Sequence, residues 1–231
     1  MKVKDQYIKI LKNILTYNKN FSYDGSRCLR YYDNTVLIEA EVPDFLDLPI
    51  YTNNLEEILK FWTPETDVYE EAEGNINYLV LVNDKGKIKY RLSKSQLLAP
   101  EKPMPPIINL KIAETYFKFN LDYNKFSNLI KISNMLECDT VEVYSIDEHK
   151  IGLKSFQIND KRNKNYIIEI ECDHEHTDKK CRFSLNRFNI IMASDYNFEL
   201  GRFDNKKQNE FIKVKAFNGN VEMTYVFPNN I

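Results

Sequence analysis

The segment at residues 97–106, near the middle of this 231-residue chain, constrains the fold more than any other. It contains four of the eight prolines. Proline has no backbone N–H to donate and biases the residue before it toward extended backbone. The segment therefore excludes a helix or a central strand and predicts an extended connector. We expect an N-terminal domain at 1–98, a connector at 99–109 and a C-terminal domain at 110–231.

Hydrophobic periodicity predicts the same order of elements on both sides of this connector: a long helix, strands, a short helix and further strands. In the first half the helices are predicted at 5–19 and 54–62. In the second half they are predicted at 123–136, with Asp122 as the capping residue, and at 186–192. Strand-like runs rich in β-branched and aromatic residues fill the remainder. The sequence thus predicts an α+β fold built from two similar domains.

Composition narrows the class of protein. No apolar run approaches the roughly 20 residues that a membrane-spanning helix needs, and the start of the chain lacks an apolar leader. Four cysteines are too few for a disulfide scaffold, so we expect reduced thiols and a cytoplasmic protein. No phosphate-binding glycine loop or nucleophile motif is present in the sequence, so we expect neither an enzyme nor a cofactor.

Charge is unevenly distributed along the chain. The net charge is −2, yet residues 2–20 carry five lysines against one aspartate. Short polar residues separate the lysines, a pattern that suits contact with phosphates without base recognition, although most exposed lysines are simply solvated. The candidate phosphate-binding residues are Lys4, Lys9, Lys12, Lys125, Lys131 and Arg187, with Lys2 and Lys19 as weaker candidates.

Two thiols and two imidazoles, at Cys172, His174, His176 and Cys181, form the one cluster that suggests a metal. Such a set could complete a tetrahedral zinc site. The cluster is predicted at the tip of a hairpin, and its spacing differs from standard zinc-finger patterns. We therefore expect a solvated turn, and keep a small zinc-dependent protein as an alternative.

Three local patterns resemble the DNA polymerase sliding clamps of T-even bacteriophages. The first is Lys4-Asp5 followed by Leu11-Lys12-Asn13. The second is the connector, Leu-Ala-Pro-Glu-Lys-Pro-Met-Pro at 98–105, which is similar to Val-Ala-Pro-Asn-Lys-Pro-Ile-Pro in that family. The third is Ile-Ser-x-x-Leu-x-x-Asp-Thr at 132–140.

This resemblance implies a DNA clamp fold, with helices on the inner face of a ring and antiparallel sheets outside. Six domains would form the ring, so three identical chains are implied. The implied function is processivity: the ring encircles duplex DNA, is loaded by an ATP-dependent clamp loader and tethers the replicative DNA polymerase. In phages of this type it also implies a tether for transcription machinery.

Clamps of this family also imply a hydrophobic partner site beneath the connector, beside the last strand. The candidate residues are Leu97, Leu98, Pro100, Met104, Pro105, Tyr225, Phe227 and Pro228. Packing of the connector on the sheet would explain the same residues. A β-rich protein-interaction module that forms no ring is the remaining alternative.

Overall fold

The computed structural model describes residues 2–17, 21–32, 35–46, 49–92, 110–159, 164–185, 188, 190, 193–204, 209–218 and 221–229. The chain divides into two compact units. The first comprises Met1–Tyr32, Ile38–Pro105 and Gly219–Met223, and the second comprises Asp33–Leu37, Pro106–Asn218 and Thr224–Ile231. The connector at 99–109 lies outside the described residues, so the predicted domain limits stay a prediction.

The first unit has two helices and short antiparallel strands. In chain order its elements are α1 (Asp5–Leu15), β1 (Phe21–Tyr23), β2 (Cys28–Tyr32), β3 (Leu37–Glu41), β4 (Ile50–Thr52), α2 (Leu55–Phe61), β5 (Asp67–Glu73), β6 (Ile76–Asn83) and β7 (Gly86–Arg91). Strand β1 pairs with β4, β2 neighbours β3, and β5, β6 and β7 form an antiparallel sheet. This order confirms the predicted sequence of elements, although the three-residue strand β4 was not predicted.

Aromatic rings occupy the centre of the first unit. The ring of Phe45 lies 5.7 Å from that of Tyr7 and 5.0 Å from that of Tyr23, both edge-on, and stacks on Trp62 at 6.2 Å. The Tyr23 hydroxyl donates to the backbone carbonyl of Leu46 at 2.7 Å, which satisfies its polar group inside the core. This cluster anchors α1, through Tyr7, to the rest of the unit.

The second unit contains one long helix and two larger sheets. Its elements are β8 (Ile112–Asp122), α3 (Tyr123–Met135), β9 (Thr140–Asp147), β10 (Lys150–Phe156), β11 (Asn165–Glu171), β12 (Lys180–Ser184), β13 (Asp195–Phe203), β14 (Glu210–Asn218) and β15 (Val221–Asn229). One sheet has the order β11-β10-β9-β12, and β15, β14, β13 and β8 lie side by side in the other. Every described pairing in these sheets is antiparallel.

Helix α3 follows β8 without a loop. The Asp122 carboxylate accepts a hydrogen bond from the backbone N–H of Lys125 at 2.8 Å, which confirms the predicted cap. The buried ring of Phe126 then packs on those of Tyr196 and Phe198, at 4.3 and 5.9 Å. These contacts fix the face that α3 turns toward β13.

The two units share a pairing rule that supports the predicted internal repeat. In the first unit, Lys2, just before α1, bridges to Asp67 at the start of β5. In the second, Asp122, just before α3, pairs with Asp195 at the start of β13. In each unit a residue close before the long helix, Lys2 three positions ahead of α1 and Asp122 directly ahead of α3, therefore pairs with the first residue of a later strand.

Two predicted helices differ from the structure. Helix α1 ends at Leu15, and the described residues Thr16 and Tyr17 form a turn rather than the continuation predicted to 19. The short helix predicted at 186–192 is wrong at Phe188 and Ile190, the described residues of that segment, because neither is helical. Phe188 instead stacks between Phe183 and Phe227, at 4.5 and 4.7 Å. Burial of this ring overrides the local helical pattern.

Among the described residues, every helix is too short or too polar to cross a membrane.

The end of α3 carries local backbone strain. The backbone N–H of Cys138 donates to the carbonyl of Ser133 at 2.8 Å, and that of Glu137 donates to Asn134 at 3.1 Å. These two bonds form a Schellman ending, in which the residue at the position of Glu137 adopts a left-handed conformation. Glu137 has φ 60°, where glycine is the usual residue.

Replacing Glu137 with glycine should stabilise the protein by about 0.5–1 kcal/mol, because the left-handed conformation costs an L-residue more than it costs glycine. The midpoint of urea unfolding at fixed protein concentration measures this. Asn134→Gly, in the last turn of the same helix, is the matched control and should destabilise. A midpoint for Glu137→Gly at or below that of the parent protein would contradict the strain.

Candidate nucleic-acid interface

Helix α1 separates apolar and basic side chains onto opposite faces. Ile10, Leu11 and Ile14 are buried, whereas Lys9 and Lys12 are exposed. Residues three apart on a helix are neighbours, so these two ammonium groups occupy one stretch of surface. Lys4 is the exposed N-cap residue of the same helix. The structure therefore places all three predicted lysines of the first half at the surface of one element.

Two of these lysines already have carboxylate partners. The Nζ of Lys4 lies 2.6 Å from Oδ2 of Asp44, and the Nζ of Lys9 lies 2.7 Å from Oδ2 of Asp5, one helical turn earlier. The hydrogen bond to Asp44 raises the pKa of Lys4, and the same bond lowers the pKa of Asp44. All four side chains are more than half exposed, so solvent screens both pairs.

Helix α3 presents a longer polar face. Phe126, Leu129 and Ser133 are buried beneath it. The exposed polar side chains are Asn124, Lys125, Asn128, Lys131 and Asn134. Short amides between two lysines can donate hydrogen bonds to phosphate oxygens, directly or through water. This face agrees with the polar face expected from the sequence.

Met135 is an apolar member of this face that sequence reasoning missed. Met135 is 74% exposed, the highest value among the large hydrophobic residues described as exposed. Met135 follows Lys131 by four residues, a spacing that places both on one side of a helix. Helical spacing could therefore have revealed it.

The remaining basic candidates differ in their surroundings. Within the described residues, Lys12, Lys125 and Lys131 have no ion-pair partner, whereas Lys2 pairs with Glu65 at 3.1 Å. Lys19 and Arg187 lie outside the described residues. The free ammonium groups of the candidate interface are thus one on α1 and two on α3, counted over the described part of the chain.

The predicted partner site is described only at the last strand. Leu97, Leu98, Pro100, Met104 and Pro105 lie outside the described residues. Tyr225 and Phe227 are buried, with their rings parallel at 6.2 Å, and Pro228 keeps part of its surface exposed. Of the described candidates, Pro228 alone therefore offers a partner appreciable surface in this conformation, and the site stays a prediction.

The cysteine and histidine cluster is not at a hairpin tip, which corrects the expectation from sequence. Strands β11 and β12 lie at opposite edges of their sheet, with β10 and β9 between them. The segment that joins them crosses the end of the sheet and packs along β8. Its contacts are Cys172 Sγ with the Lys118 carbonyl at 3.4 Å, the His174 ring with Phe117 at 5.1 Å and the His176 ring with Tyr116 at 5.5 Å.

These contacts direct the four candidate zinc ligands to structural roles. Burial raises the pKa of Cys172, and it raises that of Cys181 to about 12, because a buried thiolate would lose its hydration. The described residues include all four side chains, and no three His, Cys, Asp or Glu groups in that part of the chain are close enough to hold a metal ion. The geometry gives the zinc alternative no support.

Comparison with known proteins finds likeness in structure only. No family model and no curated protein matches the sequence. The PCNA2–PCNA3 complex of Sulfolobus tokodaii matches with a TM-score of 0.66 and 15% identity, over 96% of this chain and 95% of that one. PCNA of A. fulgidus, solved with the C-terminal region of FEN-1 bound, matches with a TM-score of 0.65 and 14% identity, over 97% and 95%. PCNA of Entamoeba histolytica gives 0.62 and 11%, over 96% and 94%.

These likenesses establish the class of fold. The chain has the fold of PCNA-type sliding clamps over nearly its whole length, which confirms the predicted clamp architecture of antiparallel sheets and few helices. The narrower resemblance to the T-even phage type stays a prediction.

Charge reversal at two unpaired lysines, Lys12→Glu with Lys131→Glu, should weaken binding to a short duplex by about ten-fold or more at low salt. It should also flatten the salt dependence, because each phosphate neutralised by a lysine releases about one counterion. Anisotropy of a labelled duplex at two salt concentrations measures both. Lys85→Glu with Lys154→Glu makes the same charge change on a turn and a strand. An equal loss in this control would show that net charge, and not the helix faces, governs binding.

Proposed function

We propose that this chain is the subunit of a sliding clamp, a processivity factor for DNA replication. Three copies close into a ring around duplex DNA, and the ring tethers a DNA polymerase to its template. The observation that carries this proposal is the likeness to PCNA-type clamps over at least 96% of the chain. A scaffold of this kind needs no catalytic residue and no cofactor, and we assign none.

The helix faces support a contact with DNA that permits movement. Lysines and short polar residues attract phosphates equally at every position along a duplex, whereas hydrogen bonds to base edges would arrest sliding. In the proposed ring, Lys4, Lys9, Lys12, Lys125 and Lys131 face the phosphate backbone. Arg187 is a further candidate from the sequence.

The partner proposal rests on the connector and the last strand. One structural neighbour is a clamp with a peptide, the C-terminal region of FEN-1, bound to it. We infer that a polymerase peptide binds here between the connector residues and Pro228. A separate ATP-dependent loader would open and close the ring. The resemblance to T-even phage clamps adds transcription machinery as a further partner.

Ring assembly needs strand edges that can pair with another copy. Among the described residues, no strand covers the outer edges of β7 and β11. The edge strand β7 carries Arg91 beside Lys87 and Lys89, whose ammonium groups already pair with Glu71 and Glu73 of β5, and β11 carries Glu169 and Glu171. Arg91 is therefore the basic group of β7 that we propose to face a carboxylate. Opposite charges across paired strands are favourable and like charges are not. We therefore propose that β7 of one copy pairs with β11 of the next.

The clamp proposal predicts retention that depends on DNA topology. Loaded with its cognate loader and ATP, the protein should remain on nicked circular duplex and leave a linear duplex of the same length through its ends. Gel filtration of labelled clamp with each DNA measures retention. Blocking both ends of the linear duplex with bound protein should restore it. Equal retention on circular and open linear DNA would contradict the proposal.

The edge pairing predicts charge-dependent assembly. Glu169→Lys or Arg91→Glu alone should shift the trimer toward monomer, and the two together should restore assembly if the edges face each other. Sedimentation equilibrium over a range of protein concentrations measures the shift. Glu175→Lys, on an exposed loop of the same unit, is the matched control and should leave the trimer intact. A monomer at micromolar concentration before any substitution would instead favour an interaction module that forms no ring.

A further inference from the structure

The lysines of the candidate interface fall into two electrostatic groups. Lys4 and Lys9, on the first unit, are held by Asp44 and Asp5 at 2.6 and 2.7 Å. Lys12, Lys125 and Lys131 have no such partner among the described residues. The sequence alone would count all five as equal phosphate ligands. In the structure, two of these lysines are paired with a carboxylate and three have no carboxylate partner among the described residues.

We propose that Asp5 and Asp44 compete with DNA phosphate for Lys9 and Lys4. By pairing with these two lysines, the carboxylates weaken the binding of α1 to the duplex. This inference rests on the proposed function, since it requires α1 to face DNA. It assigns the two carboxylates a positioning role: they contact no DNA themselves and act through the lysines that they hold.

Both ion pairs are exposed enough for a DNA phosphate to replace the carboxylate as the partner of the lysine. The four side chains are between 54% and 62% exposed, so a phosphate can approach each ammonium group without unfolding anything. An ion pair at this level of exposure shifts an equilibrium by only a few-fold. A phosphate can therefore displace the carboxylate, but binding is weaker than it would be to a free lysine.

The exchange also changes how binding responds to salt. A free lysine that meets DNA displaces one condensed cation. When a paired lysine leaves its carboxylate for a phosphate, that carboxylate attracts a cation in its place, so the net release is smaller. Paired lysines should thus contribute little to the salt dependence while still contributing attraction. A ring that slides gains from contacts of this kind, because they form and break at low cost.

The position of the pairs limits the effect to one helix. Asp5 opens α1 and pairs within it, and Asp44 reaches the residue that caps the same helix. In contrast, α3 has no acidic residue in its first turn beyond its cap, Asp122, whose carboxylate accepts from the backbone of Lys125. The two long helices should therefore bind phosphate unequally, with α3 the stronger.

A double-mutant cycle tests the inference on the intact protein. Asp44→Asn should tighten binding to a short labelled duplex by about three-fold at low salt and steepen the salt dependence by up to about one counterion for each pair that engages DNA. In a Lys4→Met background, the same Asp44→Asn change should have almost no effect, because the lysine that it frees is absent. Asp5→Asn and Lys9→Met form the second cycle, and thermal unfolding of each variant reports whether α1 stays intact.

The controls separate pairing from a general change of charge. Asp84→Asn removes one exposed negative charge from the β6–β7 turn and should leave both affinity and salt dependence unchanged. An increase in affinity after Asp44→Asn that persists in the Lys4→Met background would overturn the inference and indicate a long-range field. No increase after either aspartate substitution, while Lys4→Met weakens binding, would also overturn it and leave the proposed function standing. If Lys4→Met, Lys9→Met and Lys12→Glu all leave binding unchanged, α1 does not face DNA, and the proposed interface fails with it.

Discussion

Each long helix can bury only one face against its own unit, and the position of the candidate interface depends on this constraint. In α1 the buried face is fixed by Tyr7, whose ring meets Phe45 in the aromatic core. In α3 it is fixed by Phe126, which packs on two rings of β13. Once these rings are buried, helical geometry leaves Lys9, Lys12 and Lys131 with no place but the surface. Core packing therefore determines which charged side chains each long helix exposes.

Much of this arrangement could be predicted from the sequence, because it is encoded locally. The cap at Asp122 lies where the pattern of residues places it, and α2 falls within the helix predicted at 54–62. The helical repeat of apolar residues gives both long helices and the faces that they expose. Where local and tertiary preferences disagree, prediction failed: Phe188 belongs to a helical pattern, but its ring is held between Phe183 of β12 and Phe227 of β15, the second of which is distant in sequence.

Contacts between residues distant in sequence account for the other features that the sequence did not predict. Cys172 and Cys181 look like the two ends of a hairpin, but strand order separates them, and no periodicity encodes strand order. Likewise, Lys4 and Asp44 are 40 residues apart, and only the fold shows that one holds the other. The described candidate residues of the interface lie at the surface, but their pairing differs from what the sequence indicates, because burial and pairing are properties of the folded chain.

The two edges proposed for assembly, β7 and β11, carry unlike charge, and this asymmetry determines how copies could add to one another. A contact between two different edges joins subunits head to tail, and such a contact closes into a ring only when the rotation per subunit divides a full circle. Any other rotation, with the same chemistry at the edge, gives an open helical filament. Closure is therefore a matter of angle rather than of affinity. In the proposed assembly, a substitution that tilts β7 or β11 without weakening their pairing would convert the three-membered ring into a polymer of unlimited length.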